Sequence, residues 1–191
     1  VAFRDTGTEA VMTAFRLARA VTGKTKIAIF KGGFHGSYDG AMAFGSAQES
    51  LPLSPGIVQN QIDDIIILDY GDDSALEQIR AQAPDLAGVL VEPVQSRNPD
   101  LQPRAFLHDL RKITQAENIA LIFDEMITGF RCNQGGAQAH FGVNADLVTY
   151  GKILGGGLPV SAIAGQARFI DPMDGGRWRY GDESRPNATQ I

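Results

Sequence analysis

The strongest constraint on the fold is an alternation of short, almost wholly apolar runs with longer segments of helical periodicity. The apolar runs occupy residues 26–30, 64–70, 86–93, 119–124, 146–150 and 158–165. The segments with apolar residues three and four positions apart occupy residues 8–22, 73–83 and 103–117. Strands that are apolar on both faces are typical of a parallel sheet covered by helices on each side. We therefore predict an α/β fold of three layers, with a mostly parallel sheet between helices.

Composition excludes several classes of protein. With 191 residues, 43% of them hydrophobic and 20% charged, the chain can bury the core of one folded domain. Its single cysteine, Cys132, excludes a disulfide scaffold and, since no leader segment is recognisable, we expect a reducing cytoplasm. A net charge of −5 argues against nucleic-acid binding. No apolar run approaches the roughly 20 residues that span a membrane.

The two ends and one long connection are also informative. The sequence begins at Val1 inside a patterned segment, and the polar stretch Arg177–Gln190 closes no recognisable element. We therefore expect residues 1–191 to be a piece of a longer chain.

Residues 46–63, which include Pro52 and Pro55, are predicted to form a long surface loop. A loop of that length is usually functional or an excursion from the domain.

Polar residues follow several of the predicted strands, where open α/β sheets bind their ligands. Glu92, Asp124 and Lys152 all occupy such positions. Lys152 precedes a triple glycine, and an amine at a buried strand end can lose its proton and attack a carbonyl; a solvated loop lysine is the alternative. Asp124 could face a metal, a ribose or a protonated ring nitrogen, or it could cap a helix or form a structural salt bridge.

Two further segments have both a ligand-binding and a purely structural interpretation. Thr6, Gly7 and Thr8 stand at a predicted helix start, where free N–H groups attract an anion such as phosphate, although simple helix capping is the commoner use. Phe34 could stack on a flat cofactor beside His35, or be a core residue next to a surface histidine. Pyridoxal phosphate (PLP) enzymes need a reactive lysine, an acid for the ring nitrogen, a phosphate cup and an aromatic face. The sequence offers a candidate for each.

The segments that hold these residues resemble class III aminotransferases of the glutamate-1-semialdehyde aminomutase branch. They are DTGTEAVMTAFRLARAVTGKTKIAIFKGGFHG, VLVEPVQ, IFDEMITGFR and YGKILGGGLPV. The stretch EPVQSRNPDLQPRAFLHDLRKIT is similar to aminotransferase domains of polyketide and nonribosomal peptide megasynthases, such as the microcystin, nodularin and mycosubtilin assembly lines. The resemblance implies the large, PLP-binding domain of a fold-type I transferase. Residues 1–191 would be part of it, with an N-terminal segment and a C-terminal small domain outside them.

The resemblance also implies a role for each matching residue. Lys152 would bind PLP as a Schiff base and move a proton, and Asp124 would keep the ring nitrogen protonated. The remaining cofactor-binding set is Gly7 and Thr8 at the phosphate with Thr6 nearby, Phe34 and Met126 on the two ring faces, and His35 and Glu92 shaping the site. The family builds this site at a homodimer interface, where a threonine of the partner subunit caps the phosphate.

Four positions depart from the family pattern. The family commonly has Asn at Asp5, Tyr at Phe34 and Val at Met126, and the aminomutase has Asn near the ring 3-oxygen at Arg97. The last contact is therefore not assigned to Arg97. Two other residues have open roles: Arg131, for which a substrate carboxylate and a structural ion pair are alternatives, and Trp178 in the polar tail.

The function that the resemblance implies is transamination. The amino donor would be glutamate, and the acceptor a β-ketoacyl chain tethered to a carrier protein. The close alternative is a free-standing glutamate-1-semialdehyde aminomutase or small-molecule aminotransferase.

Other functions have weaker support in the sequence. Gly23-Lys24-Thr25 matches the end of a nucleotide-binding P-loop, but Ala18 stands where that loop needs Gly and the segment before it is predicted to be a helix. A non-catalytic binding module has no support, because the candidate lysine and carboxylate are both present. Cys132 is predicted to be a buried or spectator residue. No His, Cys and Asp spacing suggests a metal site, and His108 and His140 are predicted to be surface or helix residues.

Overall fold

The structure is a computed structural model in which residues 1–174 are described. In chain order the elements are β1 (Ala2–Arg4), α1 (Gly7–Thr22), β2 (Lys26–Phe30), β3 (Ala43–Gly45), β4 (Ser50–Pro52), β5 (Ile65–Leu68), α2 (Asp73–Gln82), β6 (Leu86–Val91), α3 (Arg104–Ala116), β7 (Ala120–Asp124), α4 (Gly136–Phe141), β8 (Leu147–Tyr150), β9 (Ser161–Gly165) and α5 (Ala167–Asp174). The predicted α/β alternation is therefore confirmed.

Seven strands form one sheet in the order β1-β9-β8-β7-β6-β2-β5. The four pairings from β8 to β5 are parallel, which confirms a mostly parallel sheet. The pairings of β9 with β8 and with β1 are antiparallel. The connection from β8 to β9 explains this reversal, because residues 151–160 contain only a short 3-10 helix (Lys152–Gly155). A parallel pairing needs a longer crossover, usually through an α-helix.

The sheet lies between two layers of helices, as predicted. Along β7, Leu121 and Phe123 join the core cluster that packs beneath α2, α3 and α4. Ala120 and Ile122 join the opposite cluster, beneath α1 and α5. Successive strand residues point to opposite faces, so a strand buried on both sides reads as an unbroken apolar run.

The prediction of an unbroken surface loop over residues 46–63 is wrong. The segment contains β4, which pairs antiparallel with β3. The resulting hairpin is hydrogen-bonded to β5. The Ser50 hydroxyl donates to the Ile65 carbonyl, and the Ile67 N–H donates to the Ser46 carbonyl at 3.4 Å. The hairpin thereby covers part of the sheet edge, which would otherwise expose unpaired backbone groups.

The end of α1 is incompatible with a P-loop. Gly23 has φ +72° and is the left-handed C-cap of the helix, a position that glycine favours. The Nζ atom of Lys24 donates to the carbonyls of Glu117 and Asn118 at 2.8 and 3.2 Å, at the end of α3. This lysine is engaged in helix capping rather than directed at a phosphate loop.

Within residues 1–174, no helix has the length and apolar character needed to cross a membrane.

Candidate active site

The start of α1 has a capping box and, beside it, backbone N–H groups without a partner in the helix. The hydroxyl of Thr6 accepts from the Glu9 N–H at 3.2 Å, and the Glu9 carboxylate accepts from the Thr6 N–H at 2.8 Å and hydroxyl at 3.0 Å. These hydrogen bonds from Thr6 lower the pKa of Glu9. The first intrahelical bond joins the Ala10 N–H to the Thr6 carbonyl at 3.1 Å. The N–H groups of Gly7 and Thr8 precede it and remain available to an anion.

Asp124 ends β7 as a buried carboxylate with several hydrogen bonds. Its Oδ2 atom lies 2.7 Å from Nδ1 of His35, and the two side chains are each 2% exposed. Its Oδ1 atom accepts from the Thr149 hydroxyl at 3.1 Å and from the Met126 N–H at 3.2 Å. A carboxylate offers about four acceptor positions, so these contacts leave room for one further donor.

His35 holds the Asp124 carboxylate from the turn after β2. Because a carboxylate accepts hydrogen bonds, the Nδ1 atom of His35 is the donor in this contact. The Nε2 atom of the same ring is buried and has no hydrogen-bond partner among the described residues. A protonated pyridine nitrogen is a donor that the remaining acceptor position of Asp124 suits, since a buried carboxylate is stabilised by a charged partner.

Met126 lies between two glycines from different parts of the chain. A Cβ atom at Gly7 would meet the Met126 sulfur at 2.8 Å, and one at Gly151 would meet it at 2.6 Å. A side chain at either position would therefore have to displace the Met126 thioether. This contact brings the start of α1, the turn after β7 and the segment before Lys152 to one point.

The turn after β2 is tied to the same region. The N–H of Phe34 donates to Glu92 at 3.4 Å, and the other Glu92 oxygen accepts from the Ser96 N–H at 3.0 Å. The N–H of Ser37 donates to the hydroxyl of Thr8 at 3.1 Å. The Phe34 ring is 50% exposed, and so it has a free face for stacking.

Lys152 follows β8 at the same edge of the sheet, three residues after Thr149, whose backbone pairs with Asp124. It has φ +49°, a left-handed conformation that is uncommon for lysine and is concentrated at functional sites. Its side chain is exposed, and among residues 1–174 no hydrogen bond or ion pair engages its amine. The structure thus places the backbone of Lys152 at the site and leaves the amine available.

Glu125 is a structural residue that the sequence analysis missed. It is 1% exposed, and its carboxylate accepts from the Ala137 N–H at 2.6 Å, the Thr128 hydroxyl at 3.1 Å and the Gln138 N–H at 3.2 Å. Burial raises the pKa of this carboxyl group. These contacts join the end of β7 to the start of α4. The available signal was a second carboxylate beside Asp124, followed by glycines that allow its close approach.

The other residues considered in the sequence analysis have few contacts or lie outside the described residues. The Nε atom of Arg131 donates to the Ile127 carbonyl at 3.0 Å and forms no ion pair among the described residues. Cys132 is exposed, so its predicted burial is wrong, while a spectator role is compatible with its contact to the Thr128 carbonyl. Trp178 lies outside the described residues. No group of three or more potential ligands within residues 1–174 is arranged to hold a metal ion.

The described residues retain one candidate for each of the four needs of a PLP site stated above. Free N–H groups of Gly7 and Thr8 suit a phosphate, and buried Asp124 suits a protonated pyridine nitrogen. Phe34 presents an exposed aromatic face, and Lys152 presents an unengaged amine. The segments that hold Thr8, Phe34 and Asp124 are joined to one another by hydrogen bonds, so the fold brings together residues that are far apart in sequence.

Comparisons with known proteins identify the family of the chain. The family model Aminotransferase class-III matches residues 1–179. A glutamate-1-semialdehyde 2,1-aminomutase from Methanococcus maripaludis is 42% identical over 176 residues, which are 90% of this chain and 41% of that protein. An omega-transaminase from Sphaerobacter thermophilus superposes with a TM-score of 0.84 and 39% identity, covering 92% of this chain and 42% of that one.

The chain thus spans about two fifths of the length of the curated relatives that it matches. A transaminase solved with PLP bound superposes with a TM-score of 0.85 and 33% identity, covering 96% of this chain and 43% of that one. The family match extends over residues 1–179, which are nearly the whole sequence. The chain belongs to the class III aminotransferase family.

Proposed function

We propose that the protein containing this chain is a PLP-dependent aminotransferase. The observation that best supports this proposal is the buried Asp124 carboxylate, which is held by His35 and has one acceptor position left over. A protonated pyridine nitrogen is the partner that this arrangement suits. The proposed cofactor also matches the solved relative with PLP bound.

Bound PLP supplies an electron sink for the pair left when a C–H bond beside the substrate nitrogen breaks. Asp124 would hold the proton on the ring nitrogen, which keeps that sink effective. The N–H groups of Gly7 and Thr8 would bind the phosphate, and Phe34 and Met126 would hold the ring from its two faces. Lys152 would attach the cofactor through its Nζ atom and then move a proton at the substrate carbon.

The finer proposal concerns the substrates. We infer glutamate as the amino donor and a carrier-tethered β-ketoacyl chain as the acceptor, in an assembly line that makes a polyketide or a nonribosomal peptide. The support is the resemblance of residues 92–114 to megasynthase aminotransferase domains. We further propose a homodimer with its site at the subunit interface, located in the cytoplasm.

A second candidate is a free-standing glutamate-1-semialdehyde aminomutase. It is favoured by the aminomutase relative that is 42% identical over 90% of this chain. An aminomutase moves an amino group between two carbon atoms of one substrate, whereas the proposed transaminase needs two different substrates. The two candidates therefore differ in whether glutamate alone converts the cofactor to its amine form.

The test uses the full-length protein loaded with PLP. Glutamate alone should convert the cofactor to its amine form, and a β-ketoacyl chain on a carrier protein should then restore the original absorbance and acquire an amine. Mass spectrometry of the carrier detects the product. If only glutamate-1-semialdehyde is turned over, the aminomutase is the correct assignment. If no amine is transferred from any donor while the cofactor is bound, the proposed function is wrong.

A further inference from the structure

A cavity of about 180 Å³ lies beside Phe34, outside the contacts described above. The turn Gly32–Gly36 forms one wall, and the apolar side chains of Phe44 and Leu53 from the β3–β4 region face it. Phe34, Phe44 and Leu53 are 50%, 47% and 54% exposed, so the cavity opens to solvent. The cavity thus adjoins Phe34, the residue proposed to stack on the cofactor.

Two cations line this cavity, and only one of them is neutralised. The Nζ atom of Lys31 lies 2.8 Å from the carboxylate of Asp69. The guanidinium of Arg97 forms no hydrogen bond or ion pair with any residue in the described range 1–174. Among the described residues that line the cavity there is no Asp or Glu. The cavity therefore combines apolar walls with one uncompensated positive charge.

We propose that Arg97 binds the side-chain carboxylate of a dicarboxylic amino donor, which makes it a specificity-determining residue. A guanidinium binds a carboxylate through two parallel hydrogen bonds, and apolar walls strengthen such a pair by excluding water. Every amino acid has an α-carboxylate, so a separate guanidinium in this cavity distinguishes donors that have a second one. This inference rests on the proposed function, since it assigns part of the donor to that site.

The cavity is large enough for the side chain of a dicarboxylic amino donor. A water molecule takes up roughly 30 Å³ in the liquid, so about 180 Å³ accommodates a few carbon atoms and one carboxylate. A carrier-tethered β-ketoacyl chain has a thioester and no carboxylate for the guanidinium to bind. We therefore assign the cavity to the donor and not to the acceptor.

Binding of an unreactive ligand tests the proposal without any turnover. Glutarate has two carboxylates and no amine, and butyrate lacks the second carboxylate. In calorimetric titrations of the full-length holoenzyme, Arg97→Gln should weaken glutarate binding about 10- to 100-fold, the usual value of a charged hydrogen bond. Butyrate binding should change less than about 3-fold, within the ordinary effect of an exposed substitution. Arg97→Lys should give an intermediate loss, because lysine keeps the charge without the planar fork.

Arg80→Gln is the matched control, since Arg80 is an exposed arginine on α2 and does not line the cavity. It should leave glutarate binding unchanged. Equal glutarate affinities in the wild type and Arg97→Gln would overturn the proposal. A loss confined to the affinity for the carrier-bound acceptor would overturn it as well, because it would place the acceptor at Arg97.

Half-reaction kinetics add a second readout. Arg97→Gln should raise KM for glutamate much more than KM for alanine, with little change in kcat for glutamate. If the wild type uses alanine and Arg97→Gln leaves glutamate kinetics intact, the donor proposal fails and the proposed function stands. If the wild type transfers no amine from any donor, the proposed function fails, and the glutarate titration still decides the role of Arg97.

Discussion

The Nδ1 atom of His35 lies 2.7 Å from Oδ2 of Asp124, and the two residues are 89 positions apart in the sequence. Both side chains are 2% exposed. The pair joins the turn after β2 to the end of β7, which are not neighbouring strands, since β6 lies between them. His35 therefore acts as a positioning residue that fixes the carboxylate from one side and leaves another acceptor position open.

Replacing His35 by Phe should destabilise the protein by about 1–3 kcal/mol, because the buried Asp124 oxygen loses its donor while the ring volume is largely retained. Urea unfolding of the cofactor-free, full-length protein measures this loss. His140→Phe is the matched control, because His140 is exposed, and its effect should stay within about 0.5 kcal/mol. Equal losses in the two variants would contradict the role given to the His35–Asp124 pair.

Glu125 should give the protein a specific pH dependence of stability. Burial raises its pKa in the native state above the ordinary value of 4.5. Between 4.5 and the raised value, the native state binds more protons than the unfolded chain, so the free energy of unfolding falls as pH rises. Below that window the stabilisation from this group is fully present.

Urea midpoints of the full-length protein from pH 4 to pH 7 test this expectation. Subtracting the Glu125→Gln curve from the wild-type curve should leave a difference that becomes less favourable to the wild type as pH rises. Glu117→Gln, at an exposed position, should reproduce the wild-type slope. A flat difference curve would show that the native and unfolded pKa values of Glu125 are the same.

The contact of Met126 with Gly151 predicts a strong coupling between these positions. Gly151 has φ −172°, which any residue adopts, so Gly151→Ala acts only through the added Cβ atom, 2.6 Å from the Met126 sulfur. Because the sulfur lies near the end of a flexible side chain, which can move aside at some cost, we expect a loss of about 1 kcal/mol from overpacking, together with weaker PLP binding. Met126→Ala in the same chain should recover part of the loss, giving a coupling energy of at least about 0.5 kcal/mol. Additive effects in a double-mutant cycle would contradict the contact.

Thr6 and Thr8 should behave differently although both stand at the start of α1. Thr6→Ala breaks the capping box with Glu9 and should cost about 0.5–2 kcal/mol of stability. Its effect on PLP affinity should be small, because the Thr6 hydroxyl already donates its proton to Glu9. The Thr8 hydroxyl accepts from the Ser37 N–H and donates to no described residue, so its proton is available to a phosphate. Fluorescence titration with PLP makes the comparison with Thr8→Val, for which we expect the larger loss. A larger loss for Thr6→Ala would make Thr6 the phosphate ligand.

Sequence periodicity predicted the long elements, because an apolar run or a helical spacing is a property of one segment. The three-residue strands β1, β3 and β4 and the six-residue helix α4 are too short to show either pattern. The direction of β9 depends on the connection before it and not on its composition.

In the candidate site, too, features of a single segment could be predicted from the sequence, and contacts between segments could not. The order of motifs predicted that Asp124, His35 and Lys152 share one region, but it did not reveal the partners that hold them. The Thr149 hydroxyl reaches Asp124 because β7 and β8 pair in register at these two residues. Glu125 is buried because α4 starts beside it. Both contacts join separate elements, so neither can be read from the pattern of a single segment.

The most direct test of the account is to identify the lysine that binds PLP. The full-length protein is mixed with PLP, reduced with borohydride, digested and analysed by mass spectrometry, with its folded state confirmed beforehand. We predict a phosphopyridoxyl group on Lys152, and none on Lys31, whose amine is paired with Asp69. A folded protein that binds PLP and is labelled at another lysine, or is not labelled at all, would contradict the assignment of this site.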